Sequence, residues 1–156
     1  MAIAWQSYLI EGNPPRAVVP SGLLRDVRLS ELPEEIGVKL TGVAPAPHAG
    51  EDLECWLYTF RDGCACARIQ ITAKQGLSVG LLALWEAVRE REEQQGDVEL
   101  TDPAPEDCEV SFLLDLREDM PILGALQRVE QALRDLNARR AELLAATQWL
   151  RRSAAP

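Results

Sequence analysis

The chain has 156 residues, 47% of them hydrophobic, with a formal net charge of −9 at pH 7 and a pI near 4.7. That length suits a single domain burying roughly 68–70% of its unfolded surface, which argues against global disorder. The acidity argues against nucleic acid and against an anionic membrane surface, since both need clustered Lys and Arg, and no stretch reaches the ~20 apolar residues of a membrane helix.

The opening Met1-Ala2-Ile3-Ala4-Trp5 lacks a basic region followed by a long apolar run, so no signal peptide is expected. The expected location is the cytoplasm, with the four cysteines as reduced thiols. The bases are 14 Arg to two Lys, a usage that fits a GC-rich bacterial genome.

Residues 3–10 read as a strand of β-forming side chains closed by Gly12-Asn13-Pro14-Pro15, with residues 16–19 as a short return strand. Ser21 and Pro33 each open a short turn, Val38–Val43 reads as a strand, and Ala44–Gly50 as a loop. Asp62-Gly63 then stands where a two-residue hairpin turn tolerates positive φ. That register sets Phe60 against Ala65, Tyr58 against Ala67, Trp56 against Ile69 and Glu54 against Ile71, on the face expected to be core. Cys55, Leu57, Thr59, Arg61, Cys64, Cys66, Arg68 and Gln70 fall on the other face, as a mixed surface.

Past Gly76 the apolar period changes from two to between three and four. Ser78 is the expected N-cap of a helix whose stripe is Leu77, Leu81, Leu84, Trp85 and Val88, and Gly96 is its expected terminator. Asp97–Thr101 and Cys108–Leu116 read as two further strands, the second presenting Val110, Phe112, Leu114 and Leu116 inward. Asp119 is the expected cap of a last helix over residues 120–152, with Pro121 in its first turn. Its seven-residue repeat runs through Ile122, Val129, Leu136, Leu143 and Leu150, while the companion positions Leu126, Leu133, Arg140 and Thr147 turn polar after residue 137. Such a helix would be roughly 50 Å long, more than a compact domain of this size spans. Its first half is expected to cover the sheet and its second half to project, bend back or meet another chain. The fold class is therefore α+β: an antiparallel sheet covered by two helices, the C-terminal one long and amphipathic. Residues 1–156 form one domain, less regular over 1–52, with a β-β-α-β-β-α core over 53–152.

Few residues invite chemistry. Cys64 and Cys66 form a C-x-C with both side chains on one face, as a metal or redox pair requires. Cys55, set opposite Gln70, reaches neither, and a four-ligand site would need Cys108 and His48 to arrive from elsewhere. His48, the single histidine, lies in a loop with no nucleophile motif near it. Residues 97–119 carry nine acids against Arg117, whereas residues 120–156 carry six Arg against Glu130, Asp135 and Glu142. The acids lack calcium-loop spacing and read as solvated edge charges. They could also pair with the basic helix, within one chain or between two. No catalytic residue, metal or cofactor is expected.

The order strand, strand, helix, strand, strand, long helix over residues 54–152 resembles that of class I type III secretion chaperones and the related YbjN-like proteins. The points of likeness are Asp62-Gly63 in the first hairpin and Leu113-Leu114-Asp115-Leu116 running into a helix. The chain departs from those chaperones at its start, where they open with a helix. The resemblance implies a small acidic dimer that holds an extended segment of a client, with no catalytic residues. The residues themselves lead to a non-enzymatic interaction module that dimerises or docks through its last helix and sheet, and with the resemblance the expectation is a chaperone- or adaptor-like protein that binds a protein partner and forms a homodimer. Val129, Leu136, Leu143, Leu144, Trp149 and Leu150 are the expected interface. Burying the five apolar heptad side chains would gain on the order of 7–15 kcal/mol before entropy costs. The alternative is a small-molecule site or small enzyme, with a pocket between the hairpin and residues 21–52.

Overall fold

The structure, a computed structural model, describes residues 9–10, 16–18, 27–32, 37–40, 43–44, 47–60, 64–76, 78–101, 108–117 and 119–154, the side chains of 9–10, 16–18 and 147–154 excepted. The sheet comprises β1 (Leu9–Ile10), β2 (Arg16–Val18), β3 (Gly37–Leu40), β4 (Glu51–Thr59), β5 (Cys64–Ala73), β6 (Val98–Leu100) and β7 (Glu109–Arg117), in spatial order β1-β2-β3-β4-β5-β7-β6. All neighbours are antiparallel except β2 and β3, whose parallel pairing the alternation of single strands does not encode. Helices α1 (Val79–Gln94) and α2 (Ile122–Ala154) complete an α+β fold.

The ends of α1 follow from single side chains. Ser78 Oγ accepts from the Leu81 N–H at 3.1 Å, and Gly96, at φ +70, takes the left-handed conformation that ends the helix after Gln95. The expected cap of α2 is not used. The helix begins at Ile122, whose N–H donates to the Val27 carbonyl at 2.8 Å, while the Leu29 N–H donates to the Met120 carbonyl at 3.0 Å. Backbone from residues 27–29 thus satisfies the helix start, and Asp119 sits ahead of the capping position with its carboxylate 3.7 Å from Arg117.

The central hairpin corrects the expected register by one residue. The Phe60 N–H donates to the Cys64 carbonyl at 2.9 Å, so three residues, not two, separate the strand ends. Thr59 pairs with Ala65, Leu57 with Ala67 and Cys55 with Ile69. On β5 the inward set Ala65, Ala67, Ile69 and Ile71 stands as expected, but on β4 the faces exchange. Cys55, Leu57 and Thr59 are buried beneath the helices, and Glu54, Trp56 and Tyr58 turn to the opposite face. The small side chains Cys55, Ala65, Ala67 and Ala73 leave room for the helix leucines Leu81, Leu84 and Leu133. Rings at those β4 positions would have filled that space.

On the strand after the helix, Val110, Phe112, Leu114 and Leu116 point into the core as expected. Leu29, the first residue of a single 3-10 turn, and Leu32, which follows it, join this core. Helix α2 contributes Ile122, Ala125, Val129, Ala132, Leu133 and Leu136, a stripe broad enough to cover a sheet.

Candidate functional site

Helix α2 is continuous through Ala138 and runs for 33 residues, roughly 50 Å, against roughly 33 Å for the ten-residue β5. Of the expected interface residues, Val129 (0% exposed) and Leu136 (2%) lie in the core of their own subunit. They face the sheet, not a partner, and are removed from the expected interface. Leu143 and Leu144, one turn beyond Arg140, are half-buried, Leu143 against the edge of the core. Trp149 and Leu150 continue the helix, but their side chains lie outside the described residues.

What ends the buried stripe is an ion pair that the heptad reading took for a loss of seam quality. Arg140, 1% exposed, donates from Nη1 to the Glu51 carboxylate at 2.9 and 3.2 Å and from Nη2 at 3.3 Å. Its Nη2 also donates to Asn137 Oδ1 at 2.8 Å, and Nη1 reaches the Gly80 carbonyl at 3.5 Å. This joins the middle of α2 to the first residue of β4 and the first turn of α1. That same turn carries Val79, 52% exposed, and Leu82 follows at 40%. Apolar side chains of both helices are therefore left on the surface where α2 passes the end of α1.

A second pair of contacts fastens α1 to α2. Arg139 holds Glu90 bidentately at 2.7 and 3.0 Å, and these hydrogen bonds keep the Glu90 carboxyl below the usual carboxylate range. Arg91 binds both oxygens of Asp97 at 2.8 and 3.0 Å and reaches Asp135 at 3.3 Å. A polar cleft of about 230 Å³ lies between these groups, floored by Ala87 and Leu136. Asp97 thereby answers the question of the acidic segment: within the chain it meets Arg91 and, at 3.9 Å, Arg128. Glu99 and Asp115 stay exposed.

The sheet face turned away from the helices is mixed. Trp56 lies under Lys39 at 5.7 Å and donates from Nε1 to Glu54 at 3.3 Å. Tyr58 stacks on Phe60 with centroids 6.4 Å apart, and Phe60 is exposed. Tyr58 lies so close over Gly37 that a Cβ there would stand 2.7 Å from its hydroxyl. The buried Nε of Arg68 and Oγ of Ser111, both on this face, have no hydrogen-bond partner.

Cys64 and Cys66 share this face, while Cys55 lies on the other. Burial pushes the Cys66 thiol up to about 11, helped by the negative charge of Asp115 and by Cys64, and burial alone pushes Cys55 up to about 12. Neither is a ready thiolate. Cys108 lies at the start of β7 and His48 in an exposed loop, and no group of three His, Cys, Asp or Glu is placed to hold a metal among the described residues. Residues 61–63, including the Asp62-Gly63 turn, and residues 21–26, 33–36, 41–42 and 45–46 of the 21–52 segment lie outside the described residues. The described cavities lie elsewhere than the pocket expected there. No helix among the described residues is long and apolar enough to cross a membrane.

Sequence reasoning missed Arg140 with Glu51 because 89 residues separate them. Periodicity reports a polar residue on an apolar stripe, not its partner. The exposed Val79 and Leu82 were legible as apolar residues beside the α1 stripe, had the first turn been weighed as surface. Comparison with protein-family models, curated proteins and solved structures found no match.

Proposed function

We propose that this protein is a non-enzymatic interaction module, chaperone- or adaptor-like, that forms a homodimer through the end of α2 and takes a protein partner. The observation that carries the reading is the apolar surface where α2 outruns the sheet: Leu143 and Leu144 half-buried on one helix, Val79 and Leu82 exposed on the other. Large exposed aliphatic side chains gathered at one end of a domain mark contact surfaces. A two-fold arrangement would set the end of each α2 against the first turn of the other subunit's α1. Phe60, exposed beside Tyr58 on the sheet face turned away from the helices, is the second apolar feature offered to a partner. The element order from β4 to α2 supports the chaperone-like half of the reading, since that order carries the resemblance to the secretion chaperones.

Light scattering tests the dimer. The expected mass is near twice 17.3 kDa, falling to one chain in the Leu144→Glu variant, with the helical circular dichroism unchanged. A wild-type protein that stays at 17.3 kDa up to about 100 μM, roughly −5.5 kcal/mol of association free energy, would remove the self-association. A variant that dimerises as before would move it off this surface.

A further inference from the structure

Among the described residues strand β6 is one edge of the sheet, and it is short: three residues against nine in β7. The ladder fixes which backbone groups look outward. The Asp115 N–H donates to the Asp97 carbonyl at 2.9 Å and the Thr101 N–H to the Ser111 carbonyl at 3.1 Å, so residues 97, 99 and 101 face β7. Val98 and Leu100 therefore turn their N–H and C=O groups to the outside, as a template for another strand.

One donor of that template is taken. The Leu100 N–H donates to Glu92 Oε2, which reaches over from the last turns of α1, at 2.7 Å. Where β7 runs on past the start of β6, the Asp115 carbonyl accepts from Nε of Arg128, on α2, at 2.9 Å. One helix thus supplies an acceptor to a free donor, and the other a donor to a free acceptor. Glu92 stands where the backbone of a strand added to β6 would be, and Arg128 where β6 itself would continue along β7. Both are charged, so a strand that displaced either would leave a carboxylate or guanidinium to be resolvated beside the half-buried Leu100 or the buried Leu116.

We propose that Glu92 on the β6 edge, and Arg128 on the stretch of β7 that β6 leaves unpaired, close this side of the sheet against strand addition by a second copy of this chain. Removing both would turn the protein into an edge-paired oligomer. The inference is independent of the dimer proposed above, because Val79, Leu82, Leu143 and Leu144 play no part in it. It also directs partner binding away from the β6 edge.

The test uses the full chain with Glu92→Ala and Arg128→Ala together, and the same pair in the Leu144→Glu background, where assembly through the helix end is absent. The expected result is a concentration-dependent rise in mass in both backgrounds. At low concentration the Leu100 amide should exchange roughly threefold to tenfold faster, the range that one net hydrogen bond supplies. Glu92→Gln keeps an acceptor oxygen and should leave both readings near wild type. A folded double variant that keeps its parent's mass overturns the proposal. Should Arg128→Ala disturb the fold, Glu92→Ala alone decides: an unchanged Leu100 exchange rate overturns it equally.

Discussion

The ion pair of Arg140 with Glu51 makes the sharpest prediction. Both side chains are almost wholly buried, at 2% and 7% exposure. Removing one partner strands the other charge away from water, which costs about 3–5 kcal/mol. Arg140→Met keeps most of the volume and isolates Glu51, so its cost reports chiefly the stranded carboxylate, with a smaller part from Asn137 Oδ1 and the Gly80 carbonyl. For a chain of this length that loss lowers Tm by roughly 6–20 °C. Glu51→Leu should cost a similar amount for the converse reason. The double variant removes both charges and should recover most of the loss, because a buried pair exchanged for apolar side chains is often neutral. Recovery will not be complete, since Asn137 Oδ1 and the Gly80 carbonyl lose their donor, at about 1–3 kcal/mol for a polar group left unpaired. Urea unfolding of the four proteins closes the cycle, with an expected coupling of about 3 kcal/mol or more. Arg140→Met costing under about 1 kcal/mol, or two losses that simply add, would show that the charges are solvated and that α2 is not anchored at this point.

Three further outcomes follow from the geometry. Gly37→Ala should cost about 1–3 kcal/mol by driving a Cβ into the Tyr58 ring. In a Tyr58→Leu background the same change should cost little, and an equal cost in both would place the ring elsewhere. The Arg91 hydrogen bonds hold the Asp97 carboxyl below the usual carboxylate range, against the opposing effect of its burial. A depressed folded value contributes stability that is complete above the unfolded value of about 3.9 and lost as pH falls through the folded one. Asp97→Asn should therefore lower the urea midpoint at pH 7 and lower it progressively less as pH falls below about 3.9, whereas equal losses across that range would refute the pairing. With the Cys66 thiol near 11 and Cys55 near 12, alkylation at pH 8 should label the exposed Cys64 and spare those two. Early labelling of Cys66, read by mass spectrometry, would contradict its burial.

Much of the architecture was legible because two local signals are strong. Ser78 and Gly96 mark the ends of α1 through their own backbone chemistry, and the alternation of Val110, Phe112, Leu114 and Leu116 fixes the inner face of β7. The β4 face was misread because Asp-Gly fits a two-residue or a three-residue hairpin, and one residue of loop inverts a strand. The alternation on β4 could not arbitrate, since Leu53, Cys55 and Leu57 are as apolar as Trp56, Tyr58 and Phe60. The decision is tertiary: rings do not fit beneath Leu81 and Leu84, and Gly37 offers Tyr58 a flat seat on the other side. The cap of α2 failed for a similar reason, as the Val27 carbonyl arrives from 95 residues away to accept from the Ile122 N–H, the acceptor's place that Asp119 would have filled.

The arginines of α2 decide what kind of contact its end can make. Arg128 is held by the Asp115 carbonyl, Arg134 by Gln131, Arg139 by Glu90 and Glu142, and Arg140 by Glu51. The basic half of the chain, which by count alone could have reached for the acidic segment of another subunit, is engaged within its own as far as its side chains are described. Association through Val79, Leu82, Leu143 and Leu144 should then be driven by apolar burial and respond weakly to salt. Between about 50 and 500 mM NaCl, where the screening length shrinks from roughly 14 to 4 Å, the dimer Kd should change by less than about threefold. A tenfold or greater weakening would place the contact on Arg151 and Arg152 against the acids of a neighbouring chain. It would make charge, not apolar surface, the reason α2 extends so far.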